Sequence, residues 1–132
     1  MKIIADTNML LRAVVADDEA QSKAAIEALE SAEMVAIGLQ SLCEFACVLA
    51  RQYQTSRDDI ADAIRRLVEI RNVAVNRPAV EAGLRAVDAG GDFADGVIAY
   101  DGAWLGGEVF CSFDKKAVAI LSKQGQQARL LV

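Results

Sequence analysis

Two patterns of apolar and polar residues occur along the chain, and they predict short strands separated by amphipathic helices. Apolar residues recur at helical spacing over 8–15, 17–32, 41–53, 56–70, 77–90, 92–107 and 114–125. Short, mostly apolar runs between them are typical of buried strands, over 2–5, 34–38, 73–75, 108–113 and 128–132. Continuous apolar strands that alternate with helices favour a parallel sheet covered on both faces. We therefore expect an α/β fold, a three-layer α/β/α sandwich with a central, mainly parallel sheet.

Length and composition fit one domain. The chain has 132 residues, of which 54% are hydrophobic, and this is enough for one sizeable core. Because no repeat, low-complexity tract or linker interrupts the pattern, we expect residues 1–132 to form a single domain. No apolar run approaches the ~18 residues of a membrane span. Three cysteines make no disulfide framework, so we expect a cytoplasmic protein without membrane association.

The chain contains no histidine, and this narrows the possible chemistry. A Ser-His-Asp or Cys-His nucleophile system, a histidine acid/base pair and a histidine-containing zinc site are all excluded. The spacing of Cys43, Cys47 and Cys111 matches no known zinc motif, and no glycine-rich phosphate-binding loop is present. Any catalysis must therefore depend on other groups, and carboxylates are the first candidates.

Acidic residues stand at several predicted junctions between a strand and a helix. Asp6 and Asp114 directly follow apolar strands, Glu44 falls in the predicted first turn after the second strand, and Asp92 and Asp95 open the sixth helix. An apolar strand that ends on Asp6 predicts a buried carboxylate, which costs several kcal/mol unless it is compensated. The carboxyl ends of parallel strands share one sheet edge. The acids are therefore expected to meet there.

Helix capping is an alternative explanation for the presence of each acid taken by itself. Asp is a favoured N-cap residue, Ser41-x-x-Glu44 matches a capping box, and Asp92-x-x-Asp95 resembles one. Capping does not require an acid at every junction, however. A hard divalent cation does require several oxygen ligands from different segments. The whole set therefore indicates a metal site more strongly than any member does.

Four motifs in order, "IIADTNMLL", "SLCEFACVL", "DFADGVIAY" and "CSFDKKAV", resemble the PIN domain, and specifically the VapC-type toxins of bacterial toxin–antitoxin pairs. The resemblance implies a metal-dependent endoribonuclease with Mg²⁺ or Mn²⁺, in which water attack leaves a 5′-phosphate. It implies catalytic and metal-binding roles for the quartet Asp6, Glu44, Asp95 and Asp114, with Asp92 as an accessory acid.

The resemblance also assigns supporting residues. Thr7, Asn8 and Ser112 are expected to orient the acids or bound water. Gly96 stands where such domains usually have alanine, and a helical glycine costs about 0.5–1 kcal/mol. We therefore expect Gly96 to loosen Asp95.

The expected partners are an RNA substrate, a VapB-like antitoxin and a second copy in a homodimer, the last two from the resemblance alone. A net charge of −5 makes the chain a poor non-specific RNA binder, because such affinity comes from Lys and Arg. Arg12, Lys115 and Lys116 are candidate RNA contacts. The sequence leaves open the RNA target, the choice between Mg²⁺ and Mn²⁺, and whether one or two ions bind.

Two other functions compete with the nuclease. A phospho-acceptor signalling domain would need paired acids after the first strand and an Asp after a central one, whereas Asp6 stands alone and "VAVNRP" has no Asp. A non-catalytic PIN-like module that binds RNA or protein is the second alternative. Metal-dependent cleavage would separate the nuclease from both.

Overall fold

The computed structural model describes residues 1–132 as five strands and seven helices that alternate as the sequence pattern predicts. Every strand pairing is parallel, so the predicted α/β class is confirmed. In chain order the elements are β1 (Lys2–Ala5), α1 (Thr7–Val14), α2 (Glu19–Ser31), β2 (Met34–Ile37), α3 (Leu39–Arg51), α4 (Arg57–Glu69), β3 (Val73–Ala74), α5 (Arg77–Asp88), α6 (Phe93–Trp104), β4 (Phe110–Ser112), α7 (Lys115–Lys123) and β5 (Ala128–Leu130).

The chain divides into two compact units, which we call the N-terminal unit (Met1–Asn76) and the C-terminal unit (Arg77–Val132). The N-terminal unit contains a three-stranded sheet in the order β1-β2-β3 and helices α1 to α4. The C-terminal unit contains the β4-β5 pair and helices α5 to α7. The expectation of a single domain remains a prediction.

The N-terminal unit is built around β2, the middle strand of its sheet. Val35 of β2 pairs with Ile3 on one side and Val73 on the other, and it is fully buried. Phe45 and Ile64 from the apolar faces of α3 and α4 are equally buried. Removing such side chains from water is the main source of stability. The predicted helical periodicity therefore identifies the buried faces correctly.

Helix α3 begins two residues before its predicted start. Gly38 is its N-cap, in an extended conformation, and Leu39 is its first residue. Ser41 therefore lies inside the helix, so the predicted capping box of Ser41 and Glu44 is wrong. Glu44 is the sixth helical residue, in the second turn rather than the first. The hydroxyl and carboxylate pattern of the capping box occurs inside this helix without capping it.

In the C-terminal unit, two glycines let α5 and α6 approach closely. A Cβ atom on Gly96 would clash with the carbonyl oxygen of Ala82 and would lie 2.8 Å from the Cα of Gly83. A Cβ atom on Gly83 would lie 2.5 Å from a ring carbon of Phe93. Gly96 thus belongs to a tight helix contact, and the structure gives no support to the expectation that it loosens α6.

None of the seven helices combines the length and the apolar character needed to cross a membrane.

The glycine contact predicts opposite effects for two Gly→Ala substitutions in α6. Gly96→Ala should lower the free energy of unfolding by about 1–3 kcal/mol, because the added methyl group overpacks the contact with α5. Gly102 has no atom within 4 Å of an added Cβ. Gly102→Ala should therefore be neutral or stabilise by about 0.5–1 kcal/mol. Urea unfolding of both variants measures the difference, and equal effects would refute the close-packing role.

Candidate active site

Asp6 caps α1 and is exposed, so the expectation of a buried carboxylate is wrong. Its Oδ1 accepts a hydrogen bond from the backbone N–H of Met9 at 2.9 Å. This bond satisfies one of the free N–H groups of the first helical turn. The capping hydrogen bond and exposure to water therefore stabilise the charge of Asp6. Only one of its two carboxylate oxygens makes the capping bond.

Glu44 of α3 is held against the start of α1. The Thr7 hydroxyl donates to its Oε2 at 3.0 Å, and the Gln40 side-chain amide donates to its Oε1 at 3.3 Å. The first bond links residues 37 positions apart in the chain. Asp6 precedes Thr7 directly. Glu44 and Asp6 therefore form one group, which we call the N-terminal acidic set, with Thr7 as the connecting residue.

Gln40 is a functional candidate that the motifs did not reveal. It lies four residues before Glu44 on α3, the spacing at which helical side chains meet. That spacing was the available signal, but a Gln at this position is ordinary on an exposed helix face. Asn8, by contrast, is exposed on α1, and no contact with either acid supports its predicted orienting role.

A thiol next to Glu44 stays protonated. Partial burial, followed by the negative charge of Glu44, raises the pKa of Cys43 to about 11. A protonated thiol is neither a nucleophile nor a metal ligand at neutral pH. The chemistry of this part of the unit therefore depends on oxygen atoms.

Asp114 caps α7 in the C-terminal unit. Its Oδ1 accepts hydrogen bonds from the backbone N–H groups of Lys116 and Ala117 at 3.0 and 3.1 Å. The Ser112 hydroxyl oxygen accepts the N–H of Asp114 at 2.9 Å. Ser112 thus fixes the turn that carries Asp114, and its supporting role in a site remains a prediction. Oδ2 of Asp114 takes no part in the capping.

Asp92 and Asp95 stand at the start of α6 and do not form a capping box. Asp92 occupies the N-cap position, but its side chain makes no capping hydrogen bond. Asp95, in the first turn, is partly buried. The capping interpretation of this pair is therefore wrong for Asp92, whose carboxylate is exposed.

Asp95 lies close enough to Asp92 and Asp114 for their charges to act on it. Burial, followed by the charges of Asp92 and Asp114, raises the pKa of Asp95 above its ordinary value. Like charges disfavour ionisation of a neighbour. Asp92, Asp95 and Asp114 therefore form a second group, which we call the C-terminal acidic set.

The structure thus brings the predicted acids together in two sets, one in each unit. Within each unit, no group of three or more acidic or cysteine side chains is arranged to hold a metal ion. The predicted quartet of Asp6, Glu44, Asp95 and Asp114 as one metal site remains a prediction. All the donors are carboxylate oxygens, the ligands that Mg²⁺ and Mn²⁺ prefer.

The predicted RNA contacts lie in different environments. Arg12 forms an ion pair with Asp17 at 2.6 Å, and Asp17 also accepts the Tyr53 hydroxyl at 2.9 Å. This pairing reduces the availability of its guanidinium for phosphate. Lys115 and Lys116 are exposed in the first turn of α7, where the positive end of the helix dipole disfavours cations. An anion at this place would relieve that repulsion.

Removal of the Asp95 charge should stabilise the chain in the absence of metal. Because folding raises the pKa of Asp95, the free energy of unfolding falls as the pH rises from the pKa of the unfolded chain through the higher pKa of the folded chain. In EDTA at pH 7, Asp95→Asn should therefore have a higher melting temperature than the wild type. The gain should disappear below pH ~3.9, where the carboxyl group is protonated in both states.

Glu108→Gln is the matched control, because Glu108 is an exposed acid of the same unit outside both sets. It should change the melting temperature little at either pH. A destabilised Asp95→Asn chain at pH 7 in EDTA would contradict the electrostatic account of the C-terminal acidic set.

Comparison with known proteins assigns the chain to a family. A model of the PIN domain matches residues 3–120, a stretch that includes every acid of both sets. A search of curated proteins found no match. Because the match covers most of the chain, we conclude that the protein belongs to the PIN domain family, whose members are generally metal-dependent nucleases.

Proposed function

We propose that this PIN domain is a Mg²⁺- or Mn²⁺-dependent endoribonuclease and acts as the VapC-type toxin of a toxin–antitoxin pair. The C-terminal acidic set is the observation that carries the proposal. Asp95 is partly buried with two carboxylates close enough to raise its pKa. A divalent cation removes this repulsion when it binds, so the arrangement is stable with metal and unfavourable without it.

Capping and metal binding are compatible in this chain. Asp6 and Asp114 each use Oδ1 for the helix end. Each keeps Oδ2 for a cation or a bound water. The helix fixes the carboxylate, and a fixed ligand loses less conformational entropy on binding.

The proposed division of roles follows from these contacts. Asp6, Asp95 and Asp114 hold the cation directly or through water. Glu44, fixed by Thr7 and Gln40, positions water or a second ion. A bound divalent cation would supply a lowered pKa for the attacking water and charge stabilisation of the phosphate. Asp92, without a capping bond, serves as the accessory acid.

Substrate binding has to overcome the acidic character of the chain. The net charge is −5, so generic affinity for RNA is expected to be modest. Lys115 and Lys116 directly follow Asp114, and they are the proposed phosphate contacts nearest to an acid. Arg12 would contribute to RNA binding only if its guanidinium group left Asp17 and bound a phosphate instead.

The absence of histidine favours hydrolysis by water over a route through a 2′,3′-cyclic phosphate. In-line attack by water leaves a 5′-phosphate and a 3′-hydroxyl group. The expected products are therefore distinguishable by end labelling.

An antitoxin partner is supported by a groove in the N-terminal unit. A cavity of about 650 Å³ lies among α1, α3 and α4, with Leu49 and Leu67 in its wall and Asp59, Asp62 and Arg66 also lining it. A partner segment with apolar residues and more basic than acidic ones would match this lining. The homodimer and the cytoplasmic location, as expected for such toxins, belong to the same proposal.

Cleavage of a mixed RNA pool tests the activity. The purified wild type, freed of any partner, should cut RNA with Mg²⁺ or Mn²⁺, stop in EDTA and leave 5′-phosphate ends. Asp6→Asn and Asp95→Asn should each lower the rate about 100-fold or more, because metal ligation supplies several kcal/mol of transition-state stabilisation.

Glu108→Gln should cleave RNA like the wild type, which excludes a general effect of surface charge. If the wild type binds metal but leaves every RNA intact, the nuclease proposal fails. The non-catalytic PIN-like module would then be the better interpretation.

A further inference from the structure

The carboxylate of Glu44 is held from two sides, by residues from different parts of the N-terminal unit. The Thr7 hydroxyl donates to Oε2 at 3.0 Å across 37 positions of the chain. The Gln40 amide donates to Oε1 at 3.3 Å from one turn earlier in α3. One donor alone would leave the carboxylate free to rotate about the bonded oxygen. The second donor therefore fixes the plane of the group, which the first cannot do.

Strand pairing places Gln40 close to the start of α1. Ala5 of β1 pairs with Ile37 of β2, so the two strands end at the same level of the sheet. Asp6 follows the first strand, and Gln40 stands in the first turn of the helix that follows the second. Gln40 and Glu44 lie on one face of α3, because four residues advance a helix by little more than one turn. The fold therefore brings the amide to the same sheet edge as the N-terminal acidic set.

The two donors to Glu44 are electrically neutral. An ionised carboxylate only accepts hydrogen bonds, so the nitrogen of the Gln40 amide is the atom that faces it. A hydroxyl and an amide hold the group without adding a positive charge that would compete with a metal ion. Asp17 of the same unit is different, because it forms an ion pair with Arg12 at 2.6 Å. Glu44 is thus oriented and still open to a cation.

We infer that Gln40 is a positioning residue, which acts through Glu44 and sets the affinity of the N-terminal acidic set for a divalent cation. This inference rests on the proposed function, in which Glu44 positions water or a second ion. It adds a residue that lies one position before the motif "SLCEFACVL". Hydrogen-bond partners of metal ligands orient those ligands, and their loss lowers metal affinity or activity.

A purely structural role for Gln40 makes a different prediction. A glutamine and an acid one turn apart on an exposed helix stabilise that helix slightly, whatever else the acid binds. Loss of the amide would then lower the free energy of unfolding a little and leave metal affinity unchanged. A positioning role predicts that metal affinity falls by more than the stability of the metal-free chain in EDTA. Metal binding and urea unfolding of the same variants therefore separate the two roles.

Binding of Mn²⁺ alone, measured from the electron paramagnetic resonance signal of the free ion, tests the positioning role without RNA. Gln40→Met keeps the length of the side chain and removes its N–H groups. It should raise the Kd for Mn²⁺ about 2- to 12-fold, the effect of one hydrogen bond. An unchanged Kd would overturn the inference, and so would a wild type that binds no Mn²⁺.

A charged donor at position 40 separates orientation from charge. Gln40→Lys keeps an N–H donor one turn before Glu44 and adds a positive charge, so it should weaken Mn²⁺ binding at least as much as Gln40→Met does. Wild-type affinity in Gln40→Lys would contradict the requirement for a neutral donor. Gln52→Met is the matched control, because Gln52 is an exposed glutamine at the opposite end of α3. It should bind Mn²⁺ like the wild type.

Cleavage kinetics distinguish failure of the positioning role from failure of the nuclease. At a Mn²⁺ concentration below the Kd of the variant, Gln40→Met should lower kcat and leave the KM for RNA unchanged, because the amide acts on a metal ligand. RNA cleavage with equal Mn²⁺ affinity in both chains would refute the positioning role and leave the nuclease intact. Weaker Mn²⁺ binding by Gln40→Met, without cleavage by the wild type, would support the positioning role and refute the nuclease.

Discussion

The close contact between Gly83 and Gly96 is the constraint on which the C-terminal unit depends. Helix α6 approaches α5 so closely that a methyl group on Gly96 would clash with the backbone of α5, and a methyl group on Gly83 would clash with the side chains of Phe93 and Val97. The approach positions α6, and with it Asp95 next to Gly96. Interiors packed at this density transmit small displacements instead of absorbing them. The position of Asp95 therefore depends on the packing of these two helices.

Helix capping and the proposed cation binding use different oxygens of the same carboxylates. Asp6 and Asp114 give one oxygen to a helix N-terminus, and this fixes the direction of the other. The same residue type serves both purposes because a carboxylate has two acceptor oxygens. Asp92 makes no capping bond, so neither of its carboxylate oxygens is used by the helix end.

Much of the fold could be predicted from the sequence, because apolar periodicity records which faces of β2, α3 and α4 avoid water. The start of α3 could not be predicted, because the N-cap residue Gly38 has no side chain to mark it and Ser41 with Glu44 matches the capping-box pattern inside the helix. The exposure of Asp6 was also missed, because a four-residue apolar strand does not specify how its end is covered. Motif order predicts which acids belong to the site, and this remains a prediction, whereas the Thr7 to Glu44 bond depends on tertiary structure.

The role of Gly96 was misjudged for a related reason. Helix propensity is a local quantity, and by that measure a glycine in α6 weakens the helix. Its neighbours in α5 reverse the conclusion. A side chain at position 96 would push α6 away from the backbone of α5, so the position of the Asp95 carboxylate depends on the size of the residue beside it.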